Sequence, residues 1–78
     1  MQTLDKCPLG AAVAVQHVLG DDPLSQRLGA LGFWADAQVM VERTAPLGDP
    51  TLYRLHGFRL ALRRDEAARI VVRSIAAQ

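Results

Sequence analysis

From Ala11 to Leu19, Val13, Val15 and His17 share one parity, which predicts a strand with one buried face. Gly20-Asp21-Asp22-Pro23 stops that strand and starts a helix. The Asp22 carboxylate can cap free backbone N–H groups, and proline at the first helical position wastes no donor. Leu24, Leu28 and Leu31 follow at i, i+4, i+7, predicting a short helix from Pro23 to about Leu31 with one apolar stripe. The stripe assigns those leucines to the core and leaves Ser25, Gln26, Arg27 and Ala30 in solvent. Gly29 inside the helix costs up to about 1 kcal/mol relative to alanine, so close packing on a sheet is expected there. Gly32 fits the left-handed position that ends a helix.

Beyond it, Val39 and Val41 alternate with Gln38, Met40 and Glu42, a second strand within Ala37–Thr44. Ala45-Pro46-Leu47-Gly48-Asp49-Pro50 is a loop that neither helix nor sheet can cross. Thr51–Leu55 and Phe58–Leu62 read as strands joined by a two-residue turn at His56-Gly57. The stretch from Arg64 to Ala68 has room for one helical turn, and Ile70–Ile75 is a β-branched closing strand. The ends, Met1–Lys6 and Ala76–Gln78, are expected to fray. Five short strands and one short helix point to a mainly β, five-stranded barrel, because closure removes edges that so small a chain cannot cover.

The chain has 78 residues, half of them apolar, and reads as a single domain over 1–78. A domain this small buries only about 60% of the surface its unfolded chain exposes. That leaves no room for a core plus a deep catalytic cleft, so a binding module is expected rather than an enzyme. The net charge is +1, which gives no general field for nucleic acid. Yet Arg54, Arg59, Arg63, Arg64, Arg69 and Arg73 all lie past Pro50, where only Asp65 and Glu66 oppose them. That basic half either pairs with carboxylates, complements an acidic protein partner, or binds nucleic acid as the alternative function. The single cysteine, Cys7, makes no internal disulfide, consistent with a reducing compartment. No apolar run approaches the roughly 18 residues of a membrane helix, and no signal peptide is visible at the N-terminus; a cytoplasmic location is expected.

Three segments, in order, carry a family resemblance: Arg27-Leu28-Gly29-Ala30-Leu31-Gly32-Phe33, then Arg43-Thr44-Ala45-Pro46-Leu47-Gly48-Asp49-Pro50, then Leu60–Ala67 leading into Ile70-Val71-Val72. Together they resemble the FeoA family, small accessory proteins of bacterial ferrous-iron uptake with an SH3-like barrel fold. Where that family commonly carries Pro-Gly, this chain has Trp34-Ala35-Asp36-Ala37, and Asp36 can stand in for glycine because aspartate tolerates positive φ. The resemblance implies a partner, the FeoB-type ferrous-iron permease with its cytoplasmic GTP-binding domain, and contact with the membrane only through it. The same barrel occurs as a module of iron-dependent repressors, so a freestanding relative of that module is a further alternative, and weak homo-oligomers are compatible with either.

The expected partner-binding residues are Leu24, Arg27, Leu31, Trp34, Pro46, Leu47, Gly48, Asp49 and Pro50. Two prolines hold the 46–50 loop in few conformations, so presenting Leu47 costs little ordering entropy. The plainer alternative folds Leu47 back to plug a barrel end. A groove between the helix and this loop would suit an apolar segment. Phe33 and Trp34 point opposite ways in an extended backbone, so one is exposed, and an exposed Trp34 is a favoured anchor. No metal or cofactor site is expected, since Cys7, His17 and His56 lack ligand spacing; an exposed His17 or His56 could still take a divalent ion. There is no phosphate-loop pattern and no catalytic motif.

Overall fold

Residues 1–75 are described in the computed structural model. The elements run β1 (Gln2–Thr3), a 3-10 turn (Leu4–Lys6), β2 (Ala12–Val18), α1 (Pro23–Leu31), β3 (Gln38–Thr44), β4 (Thr51–Leu55), β5 (Phe58–Leu62), α2 (Arg64–Ala67) and β6 (Ile70–Ser74). Every pairing is antiparallel, and the sheet order is β1-β6-β2-β3-β4-β5. The expected mainly β fold stands, with a sixth, two-residue strand added at the N-terminus. That segment is not frayed: Gln2 pairs with Val72, Thr3 with Val71, and the Leu4 side chain is fully buried. The other expected frayed end, 76–78, lies outside the described residues.

Local chemistry accounts for α1. Asp22 accepts a hydrogen bond from the Ser25 N–H at 3.3 Å, Pro23 opens the helix, and Gly32 closes it at φ 116°. Ser25 is buried, contrary to its assignment to solvent, because its hydroxyl turns back to donate to the Asp22 carbonyl at 2.9 Å. Leu28 is fully buried, Leu24 half-buried, and Leu31 38% exposed, so the core stripe is narrower than three leucines. The packing expected at Gly29 is also missing: a Cβ there would meet nothing within 4 Å. Close approach is found instead at Gly32, where a Cβ would lie 2.7 Å from the His56 ring.

Two register shifts decide which side chains face inward. The first falls between Val15 and His17 in β2, so Val13 and Val15 enter the core while His17, on the same sequence parity, is exposed. A bulged residue breaks strict alternation, which is why the parity reading failed at His17. The second falls between Val41 and Arg43, making Glu42 the extra residue of β3. The core gathers Leu4, Val13, Val15, Leu28, Phe33, Val39, Val41, Tyr53, Leu55, Leu62, Ile70 and Val72.

Candidate functional site

Trp34 follows the helix C-cap and is 57% exposed, while its neighbour Phe33 is buried, as adjacent positions in extended backbone require. Its indole lies over the His56 imidazole, with ring centroids 4.8 Å apart and planes tilted by 34°. His56 is held in place from two sides. It takes φ 52° ahead of Gly57 at φ 81° in the expected hairpin turn, and its Nε2 lies 3.0 Å from the Gly32 carbonyl oxygen. Asp36 takes φ 72°, the conformation expected where the family resemblance showed a missing glycine. Trp34, Ala35, Ala37, Met40 and His56 line an open groove of about 620 Å³.

The loop holds Leu47 96% exposed, and Leu47 does not fold back to plug a barrel end. Its frame is ordered by hydrogen bonds: Gly48 N–H to the Ala45 carbonyl at 2.7 Å, and Ala45 N–H to the Pro50 carbonyl at 2.9 Å. Asp49 accepts from the Arg64 N–H at 2.9 Å, which fastens the loop to the start of α2. Pro46, Asp49 and Pro50 are exposed with Leu47, and Gly48 is half-buried.

The predicted residues therefore do not form one groove. No described hydrogen bond or ion pair joins α1 directly to the loop; α2 links them. Arg27 on α1 pairs with Glu66 of α2, whose other oxygen accepts from the Arg63 N–H at 2.8 Å, and Arg64 of α2 meets the loop. Trp34 belongs to the separate groove against the β4–β5 turn. Reading the sequence missed His56 as the platform of Trp34 and Glu66 as the tie to Arg27. Neither has a local signal, since the partners lie 22 and 39 positions apart.

Charge is rearranged by the fold. Arg54 and Arg59 bind Glu42 at 2.8 and 3.0 Å, Arg69 grips both Asp22 oxygens at 2.8 and 2.7 Å, and Arg73 reaches Asp36 at 3.2 Å. Four of the six arginines past Pro50 are thus paired with carboxylates from the first half. The Arg69 guanidinium, with help from the Ser25 N–H, holds the Asp22 carboxyl well below the usual carboxylate range.

Burial, with Asp5 nearby, pushes the Cys7 thiol up from its ordinary value. Burial likewise pushes the Tyr53 phenol up to about 12, keeping it neutral in the core. Among the described residues no three of His, Cys, Asp and Glu come together as a metal would need. No described helix is long and apolar enough to cross a membrane.

A family model described as the FeoA domain matches residues 2–74. A curated relative from Porphyromonas gingivalis, an Fe(2+) transport protein A/Fe(2+) transporter FeoB fusion protein, is 32% identical over 72 residues. That alignment covers 92% of this chain but only 8% of the fusion protein. Among solved structures, FeoA from Chlorobium tepidum superposes with a TM-score of 0.88 at 34% identity, covering 99% of this chain and 73% of that one. FeoA from Stenotrophomonas maltophilia, complexed with zinc and described as a prokaryotic SH3 domain protein, gives 0.84 at 34%, covering 94% and 91%. A manganese-dependent transcriptional repressor shares the fold alone, at 19% identity and a TM-score of 0.83 over 95% of this chain and 41% of that one.

Proposed function

The chain belongs to the FeoA family, and from that premise we propose that it is a cytoplasmic accessory protein of bacterial ferrous-iron uptake that binds a FeoB-type permease. The observation that carries this reading is the Porphyromonas gingivalis relative, in which a unit 32% identical to this chain is covalently joined to an FeoB transporter. Fusion keeps two proteins at high effective concentration, which is useful where separate chains would otherwise have to associate. Iron and GTP are then handled by the permease, and the small barrel contributes a surface.

That surface has two patches: the Pro46-Leu47-Gly48-Asp49-Pro50 loop with the α1 positions Leu24, Arg27 and Leu31, linked through α2, and Trp34 in its own groove. Burying a fully exposed leucine is worth about 1.5–3 kcal/mol, and Leu47 has nearly all of that to gain. The loop is already held by Asp49 and by its own backbone bonds, so little ordering cost offsets the gain. Trp34, braced against His56, adds a rigid aromatic anchor on the groove side. The pairing of Arg69 with Asp22 and of Arg73 with Asp36 favours a protein partner over nucleic acid, because it leaves the second half less basic than its composition.

Co-purification with the detergent-solubilised permease tests the reading. Leu47→Asp should weaken retention by about tenfold or more, the equivalent of roughly 1.4 kcal/mol, with an unchanged circular dichroism spectrum. Absence of wild-type association at high micromolar concentration, together with normal iron uptake after deletion, would sink it.

A further inference from the structure

The outer face of β3–β4–β5 has a charge arrangement unlike the rest of the molecule. The other described ion pairs are one to one: Arg27 with Glu66, Arg69 with Asp22, Arg73 with Asp36. Here the register sets Arg54 directly opposite Arg59, a like-charge pair that is unfavourable by itself. The extra residue of β3, Glu42, reaches between them and binds each through its Nε. Both guanidiniums therefore keep their outer N–H groups unpaired among the described residues. Arg43 stands opposite Leu52 on the same face and has no described ion-pair partner. It shares a shallow depression of about 380 Å³ with Met40, Leu52 and Arg59. Three cations face one carboxylate that is itself only 17% exposed.

The same strands end in an open edge. β5 has a neighbour on one side only. Leu55 and Phe58 flank the two-residue turn and exchange both backbone hydrogen bonds, so alternate residues Leu60 and Leu62 also point their peptides at β4. By the same alternation Arg59 and Ala61 aim theirs outward, on the side where β5 has no neighbouring strand. Natural edges are usually blunted by proline, lysine, a bulge or a covering segment. β5 runs Phe-Arg-Leu-Ala-Leu, with neither proline nor bulge, and Arg59 is its one charge.

We propose that the β5 edge and the Arg43–Arg54–Arg59 face dock an extended acidic segment of a protein partner, which adds a strand to the sheet beside Arg59 and Ala61. Strand addition supplies main-chain hydrogen bonds, and carboxylates on alternate residues meet the free guanidinium N–H groups. Charge complementarity selects this occupant. A second copy pairing through the same edge would bring the two Arg59 side chains onto one face against each other. Nucleic acid is poorly matched by a face on which Met40, Leu52 and Ala61 separate the cations. The inference holds whichever protein supplies the segment, so it stands or falls independently of the permease assignment and of Leu47.

The test is a titration of the ¹⁵N-labelled full chain with a short capped peptide of alternating Glu and Val. Chemical-shift changes should concentrate at β5, and amide exchange at Arg59 and Ala61 should slow. Arg59→Glu should weaken binding by about tenfold or more, and Arg54→Gln, a milder change at an exposed position, by a smaller factor. Added salt should weaken the wild type in the same direction. Equal binding of a peptide with Lys in place of Glu would overturn the proposal. So would tighter binding of oligothymidylate, self-association at β5 without peptide, or shift changes centred away from β5.

Discussion

The barrel and helix α1 are held by different physics. Inside the barrel, Val13, Val15, Val39, Val41, Leu55, Ile70 and Val72 meet from facing strands and leave almost no surface to solvent. Along α1, Leu28 is fully buried and Leu24 packs half-buried against the core, and the rest of the attachment is polar. Arg69 ties down the N-terminus through Asp22, Glu66 holds the middle through Arg27, and His56 reaches the Gly32 carbonyl at the C-terminal end. Apolar burial is non-directional and tolerates small displacements; hydrogen-bonded ties set a position and an angle. The helix thus gains a fixed pose while Leu31 stays exposed on its outer side.

Three substitutions separate the two modes, in descending order of effect. Leu28→Ala removes the one fully buried apolar anchor of α1 and should lower the stability to urea by about 2–5 kcal/mol, the range for truncating a buried leucine. A loss well under 1 kcal/mol would mean the polar ties hold the helix by themselves.

Asp22→Asn attacks the polar mode and should produce a smaller loss with a distinctive pH dependence. The folded Asp22 carboxyl titrates below its ordinary value of 3.8, so the unfolded chain takes up the proton first. Stability from the Arg69 pair is therefore complete above about pH 4 to 5 and drains away as pH falls through and below that point. Thermal melts across pH 2 to 7 should show a steeper acid decline in the wild type than in Asp22→Asn, the two approaching each other at the acid end; parallel curves would remove Asp22 from this role.

Gly29→Ala is the mildest change and goes the other way. With nothing within 4 Å of the added methyl, it should stabilise by up to about 1 kcal/mol, read as a rise in melting temperature. A fall would reveal crowding at that face.

Much of the fold was legible before any coordinates. The helix bounds Pro23–Leu31, the Asp22 and Gly32 caps, the His56-Gly57 turn and the left-handed Asp36 all agree with the reading. The candidate site was legible only as separate pieces. Leu47 and Trp34 were identified by residue type, but the expected direct groove between α1 and the loop is interrupted by the α2 links to each. The inward side of β2 beyond Val15, the burial of Leu4 and Ser25, and the exposure of Leu31 all departed from periodicity.

The amino-acid sequence by itself determined where elements start, turn and stop, because caps, proline and positive-φ positions act through backbone angles within a few residues. Tertiary structure alone decided which faces are buried and which charges meet. The second half of the chain is basic in sequence, yet Glu42, Asp22 and Asp36 come from 12 to 47 positions away to meet Arg54, Arg69 and Arg73. Pairing across such separations depends on sheet register and on single-residue bulges, which shift every following side chain to the opposite face and leave no periodic trace in the sequence.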